Sequence, residues 1–245
     1  MGADTQIIIS AKDLATDTFQ KVSLSAKAMQ STLASVGGLL GSLTLGYFSA
    51  DAVKDVALLA ARYETLGVAM KVVGSNAGYT AERMDAYAEG LQKMGISATE
   101  SRQNITRMTQ AQLDLSKSSE LARVAQDAAV IGNMNSSEAF SHMVQGIQSA
   151  QVEMLRTIGI NVSFEESYQK AARASGRLTS DLSEGEKAQI RMNAVLTAGK
   201  GIAGTYEAAM TTAGKQVTSL SRYHEDLGVE TGKTFGPATT ASVTA

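Results

Sequence analysis

The sequence predicts an all-α protein, and three observations carry that expectation. A single proline in 245 residues leaves helices nearly free of imino breaks. Apolar residues recur in steps of three and four along much of the chain, which places them on one helical face. Short S-x-x-E phrases, the sequence form of a helix capping box, stand at Ser97, Ser163 and Ser183. Aromatics make up only 5%, so a core must be built from Ala, Leu, Ile, Val and the 11 Met, of which Ala, Leu and Met are the strongest helix formers.

The chain opens on a β-like run, Gln6-Ile7-Ile8-Ile9-Ser10, which predicts one short strand. A helix follows, with Phe19, Val22, Ala26, Met29, Leu33 and Val36 spaced as a heptad stripe. Residues 28–50 carry no charge and include Gly37, Gly38 and Gly41, a spacing that allows helices to approach closely. That length matches the roughly 20 residues that span a bilayer. Seven Ser, Thr and Gln side chains dilute the segment, which favours a Gly-rich joint or a tightly packed helix.

A second heptad stripe runs Val56, Leu59, Tyr63, Leu66, Met70, Val73, with Gly74 as its expected C-cap. Shorter helices are predicted next. One carries Met84, Tyr87, Leu91 and Met94 and stops at Gly95. One opens at the Ser97 box and carries Ile105, Met108 and Leu115. Further helices are marked by Leu121 to Ile131, closed by Gly132-Asn133, and by Phe140 to Ile147. Ile158 to Val162 reads as a turn with extended residues. The boxes at Ser163 and Ser183 open two more helices, and fresh starts of this kind favour several antiparallel helices over one unbroken rod. Tyr206, Met210, Ala213, Val217, Leu220, His224 and Leu227 predict a last helix, the longest of the chain. The organisation expected is an N-terminal strand, heptad helix and uncharged segment over 1–50, a helical domain over 51–235, and an unstructured tail over 236–245.

Composition argues against several function classes. A net charge of −2, with no run of basic residues, is no footprint for specific nucleic-acid binding. The absence of Cys speaks against a disulfide framework or thiolate metal site and fits synthesis in the cytoplasm. The opening residues lack the basic and apolar regions of a signal peptide. Gly232-Lys233-Thr234 imitates a phosphate loop, but Gly228 stands one position too close and no strand precedes it. His224-Glu225 begins like a zinc-protease helix, but Gly228 occupies the place of the second His. His224 is therefore expected as a polar group at a helix interface. Glu165, Glu166, Glu184 and Glu186 stand in first helical turns, where they complement the helix dipole. No catalytic residue, metal ligand or cofactor site is expected, and the chain is read as a non-enzyme. The residues expected to carry helix packing or oligomer contacts are Phe19, Val22, Met29, Leu33, Val56, Leu59, Tyr63, Leu66, Met70, Val73, Met210, Val217 and Leu220.

One family resemblance stands out. Ala61 to Val68, Ala125 to Phe140, Leu155 to Ile160, Arg191 to Leu196 and Gly201 to Met210 together resemble the N-terminal region of bacteriophage tail-length tape-measure proteins. Gln6 to Ala15 is similar to that family's opening strand and turn. The resemblance covers most of the chain. It implies a structural protein that scaffolds tail-tube assembly, sets tail length and leaves with the DNA on ejection. It implies as partners the tail tube protein, tail assembly chaperones and tail-tip or baseplate proteins, with self-association as a trimer. Its location would be the tail lumen of the virion, and the host cytoplasm during assembly. Fully helical, 245 residues would reach only about 370 Å, and family members run much longer, so the chain is expected to be an N-terminal fragment or truncated form. Contact with the host membrane during ejection is a further expectation of this reading, and the competing reading is a membrane-active helical protein, a translocator or pore former using residues 28–50.

Overall fold

The computed structural model describes residues 50–212 and 222–232. Contacts divide the chain at Lys54–Asp55, and nearly all described residues belong to the second unit. All of its regular elements are helical, and no strand occurs among the described residues. The order is α1 (Ala50–Asn76), α2 (Ala81–Lys93), α3 (Ala98–Gln110), α4 (Ser118–Ile131), α5 (Ser136–Gln148), α6 (Val152–Arg156), α7 (Phe164–Ala174), α8 (Glu184–Gly199) and α9 (Thr205–Ala209). Helix α10 spans 222–232, and short 3₁₀ turns lie at Leu115–Lys117, Thr179–Asp181 and Lys200–Ile202. The expected strand, the first heptad helix and the tail lie outside the described residues, as does residue 28–49 of the uncharged segment. No helix among the described residues is long and apolar enough to cross a membrane.

One core joins α1 to α8. Phe140, Met143, Val144 and Ile147 of α5 are fully buried against Leu121, Ala125, Ala128 and Ala129 of α4. The alanines matter because short side chains let the two helix axes come close. Met70 of α1, Met84 and Leu91 of α2, Ile105 and Met108 of α3, and Met192 and Val195 of α8 fill the remaining volume. Unbranched methionine adapts to irregular gaps between many short helices, which suits a core holding few aromatics. A second, smaller cluster lies apart: Tyr63, Ala98 and Val229 with Leu59 beside them.

Local chemistry sets the helix ends, and it departs from expectation at five places. Gly74 does not end α1. The helix runs on to Asn76, and Gly78 takes the left-handed turn at φ +84°. Gly74 is instead a packing position, since a Cβ there would lie 2.4 Å from Met84 Cγ. Leu115 is buried as expected but sits in the 3₁₀ turn after α3. The Ser183 box forms in full, with Glu186. At Ser163 only one half forms, the side chain accepting from the Glu166 amide at 3.3 Å. At Ser97 no box forms at all, because both of its side chains bond to other helices. A full box that the sequence reading passed over joins Asn135 and Glu138.

The long terminal helix predicted from Tyr206 to Leu227 does not form as one piece. Helix α9 stops at Ala209, where the hydroxyls of Thr211 and Thr212 bond the carbonyls of Ala208 and Ala209 at 3.0 and 2.7 Å. Side-chain bonds of this kind compete with the helical ladder. Met210, expected on a packing stripe, is 36% exposed in the turn that follows. The longest described helix is α1, with 27 residues.

Candidate functional site

The polar seam where α3, α5 and α10 meet is the most developed site in the described residues. Every helix start leaves amide donors unpaired. At α3 these are satisfied from elsewhere in the fold. The Ser97 amide donates to Ser137 Oγ of α5 at 2.8 Å, and the Ala98 amide donates to Asp226 Oδ1 of α10 at 2.9 Å. Ser97 Oγ donates to Glu225 Oε1 at 2.9 Å, so it is not free to cap its own helix. Arg222 Nη1 adds a bond to the Gly95 carbonyl at 2.8 Å, and its guanidinium lies 4.4 Å from the Tyr223 ring centre. A carboxylate at a helix N-terminus is favoured by the dipole as well as by the hydrogen bond. Burial works against this charge and raises the Asp226 carboxyl above the usual Asp range, with the Ala98 bond opposing.

Glu100, freed from the Ser97 box, turns to α5. Its Oε2 accepts from Ser141 Oγ at 2.5 Å and from Asn104 Nδ2 at 3.1 Å. Glu100 and Ser141 border a half-open cleft of about 320 Å³, with His142, Glu138 and Arg222 on its walls. The Nδ1 atom of His142 is buried without a hydrogen-bond partner. The serine hydroxyls are held by carboxylates, which are weak bases beside an imidazole and do not activate a hydroxyl strongly. Among the described residues no three His, Asp or Glu side chains are grouped to hold a metal ion. The chemistry of the seam is therefore that of a joint: charged and polar groups of α5 and α10 finishing the start of α3.

The same device recurs elsewhere in the fold. Asp127 of α4 accepts from the Tyr206 amide at 2.9 Å and from Thr205 Oγ1 at 3.3 Å, closing the start of α9. Arg191 of α8, only 5% exposed, finishes the other end of α5. It donates through Nε to the Ile147 carbonyl, through Nη2 to the Gln148 carbonyl at 3.4 Å, and through Nη1 to the Tyr168 hydroxyl at 2.8 Å.

The expected packing stripe on α1 is distributed as follows. Tyr63 and Met70 are buried, while Val56, Leu59, Leu66 and Val73 are half-buried. Tyr63 carries the Arg102 guanidinium 3.5 Å from its ring centre, and Arg102 also donates to the Tyr63 carbonyl at 2.8 Å. Phe19, Val22, Met29, Leu33, Val217 and Leu220 lie outside the described residues. His224, expected at an interface, is exposed; the interface of α10 uses Val229 and the close-packed Gly228 and Gly232 instead. A Cβ on Gly232 would lie 2.4 Å from Ala60 Cβ and 2.7 Å from the Val56 carbonyl oxygen. The sequence reading missed Arg191, Asp127, Glu225 and Asp226. Glu225 and Asp226 had only the nearby Gly228–Gly232 spacing to mark them, and Arg191 and Asp127 had no local signal. No family model, no curated protein and no solved structure matches this chain.

Proposed function

We propose that the chain is the N-terminal end domain of a phage tail tape-measure protein, a structural component that scaffolds the tail tube and later leaves with the DNA. One observation carries this reading: the phrases Ala125–Phe140, Leu155–Ile160 and Gly201–Met210 resemble that family's N-terminal region. The first two supply the second half of α4, the first turn of α5, the end of α6 and the segment after it, so the resemblance falls on core and turn residues. The fold is consistent with an end domain: apart from the 27-residue α1, whose Met70 joins the same core, the main helices run only 11 to 16 residues and pack on one another, which does not make an extended ruler. On this reading the ruler lies beyond residue 245. The partners are the tail tube protein, the tail assembly chaperones and the tail-tip or baseplate proteins. The chain acts in the host cytoplasm during assembly and in the tail lumen of the virion.

The test is quantitative mass spectrometry of purified particles before and after triggered DNA ejection. Peptides from residues 55–232 should be present in filled particles and depleted from emptied ones. Their absence from filled particles overturns the reading.

A further inference from the structure

Helix α1 has an apolar face and, opposite it, a second face of apolar and small residues, and the described residues cover only the first. The inward face carries Tyr63 and Met70. The opposite face carries Leu58, Ala61, Thr65, Val68, Val72 and Ser75, spaced 3, 4, 3, 4, 3, and all six are exposed. Leu58, Val68 and Val72 are 58%, 61% and 56% exposed. We propose that this face is a self-docking seam on which two copies of the chain pair as an antiparallel two-helix coiled coil. The inference stands on α1 alone and does not rest on the tail reading.

The spacing is that of coiled-coil a and d positions, with Leu58, Thr65 and Val72 at a and Ala61, Val68 and Ser75 at d. Such a seam can bury both copies at once. Thr65 does not oppose burial, because its hydroxyl already donates to the Ala61 carbonyl at 2.8 Å.

Charge selects the direction and the register. Glu64 and Lys71 occupy successive g positions; Glu64 is exposed, and Lys71 is half-exposed beside Asp85 at 2.8 Å. Antiparallel helices bring g against g. With Thr65 opposite the second copy's Val68, each Glu64 meets a Lys71 of the other copy. Sliding by one heptad either way sets Glu64 against Glu64 or Lys71 against Lys71, which repel. Parallel pairing sets g against e, and would place Glu64 opposite Ala69 and Lys71 opposite Asn76, with no ion pair. The seam runs only about 25 Å, so it buries far less than the roughly 1,600 Å² of a standard interface. The pair is therefore weak, with a Kd on the order of 100 µM.

The absence of native cysteine makes the test clean. Leu58→Cys and Ser75→Cys both alter exposed seam positions and leave the core alone. Mixed and oxidised, the two full-length variants should form a disulfide between them. Either variant by itself should not, because like positions lie about 25 Å apart in an antiparallel pair. In sedimentation equilibrium Val68→Glu should leave only monomer, and Glu64→Lys should weaken the pair about tenfold at low salt. Self-linking of Leu58→Cys alone overturns the antiparallel register. A wild-type chain that stays monomeric up to about 1 mM overturns the seam altogether.

Discussion

Replacing Arg191 with methionine removes a buried cation from the end of α5 while keeping most of its volume. The structure sets the magnitude. Arg191 serves three acceptors: the carbonyls of Ile147 and Gln148 and the hydroxyl of Tyr168. Gln148 is exposed and Tyr168 half-buried, so water can replace the guanidinium at both. Ile147 is fully buried, and its carbonyl lies among the last four of α5, which have no helical amide to accept from. Leaving one buried carbonyl unpaired costs about 1–3 kcal/mol. Methionine recovers some stability by removing a buried charge, since replacing buried ions with apolar groups is often close to neutral. The expected net loss is about 2 kcal/mol. Arg191→Lys retains a cation but loses the planar fork, and should fall between wild type and Arg191→Met. Urea denaturation of the full chain measures all three. Hydrogen exchange should show the loss concentrated at the C-terminal turn of α5 and the facing turn of α8. If Arg191→Met unfolds within about 0.5 kcal/mol of wild type, the guanidinium does not hold that helix end and the reasoning fails.

Three further outcomes follow from the helix ends and crossings. Gly90→Ala should stabilise by about 0.5–1 kcal/mol, as expected inside a helix with an open flank, since the nearest foreign atom to its Cβ is Ser119 Oγ at 3.4 Å; Gly74→Ala should destabilise instead, because Met84 fills that space, and equal signs in thermal melts would refute the packing. The Glu186 carboxyl is held down to about 2 by the Arg177 guanidinium and by the amide and hydroxyl of Ser183; its contribution is present above the ordinary Glu range and lost as pH falls toward 2, so melting temperatures of wild type and Glu186→Gln should differ at pH 6 and converge near about pH 2. Burial raises the Asp226 carboxyl, so its protonated form favours the fold and that contribution is lost as pH rises; Asp226→Asn, which keeps an acceptor for the Ala98 amide without the charge, should gain on wild type in melting temperature between pH 3 and 7, and a fall over that range contradicts the burial argument.

The fold class was legible because helical periodicity and capping are local properties. The faces of Met84 and Leu91, of Ile105 and Met108, and of Phe140 to Ile147 all lie in the core that the structure shows. What the sequence hid was which partner finishes each helix end. Ser97 and Glu100 have the spacing of a self-contained box, yet each bonds across to another helix, and nothing local distinguishes that outcome from the box at Ser183. Asp127, Asp226 and Arg191 act on residues 23 to 128 positions away, a separation that no spacing rule reads. Periodicity failed in the opposite sense at Met210. There the apolar pattern continues, but two threonine hydroxyls bond the last carbonyls of α9 and the helix stops. The same limit hides the two faces of α1, since Val56 to Val73 and Leu58 to Ser75 have identical spacing and only tertiary packing separates the covered face from the exposed one.

Deleting residues 97–115 from the full-length gene and imaging the particles decides whether this region is an end domain of a tail protein or part of its ruler. That segment holds all of α3, whose start is tied to α5 and α10, so its loss breaks a folded unit. An end domain gives few or no tails by electron microscopy. Normal numbers of tails, each shorter by about 29 Å, the helical rise of the 19 deleted residues, would contradict it and make this region part of the ruler.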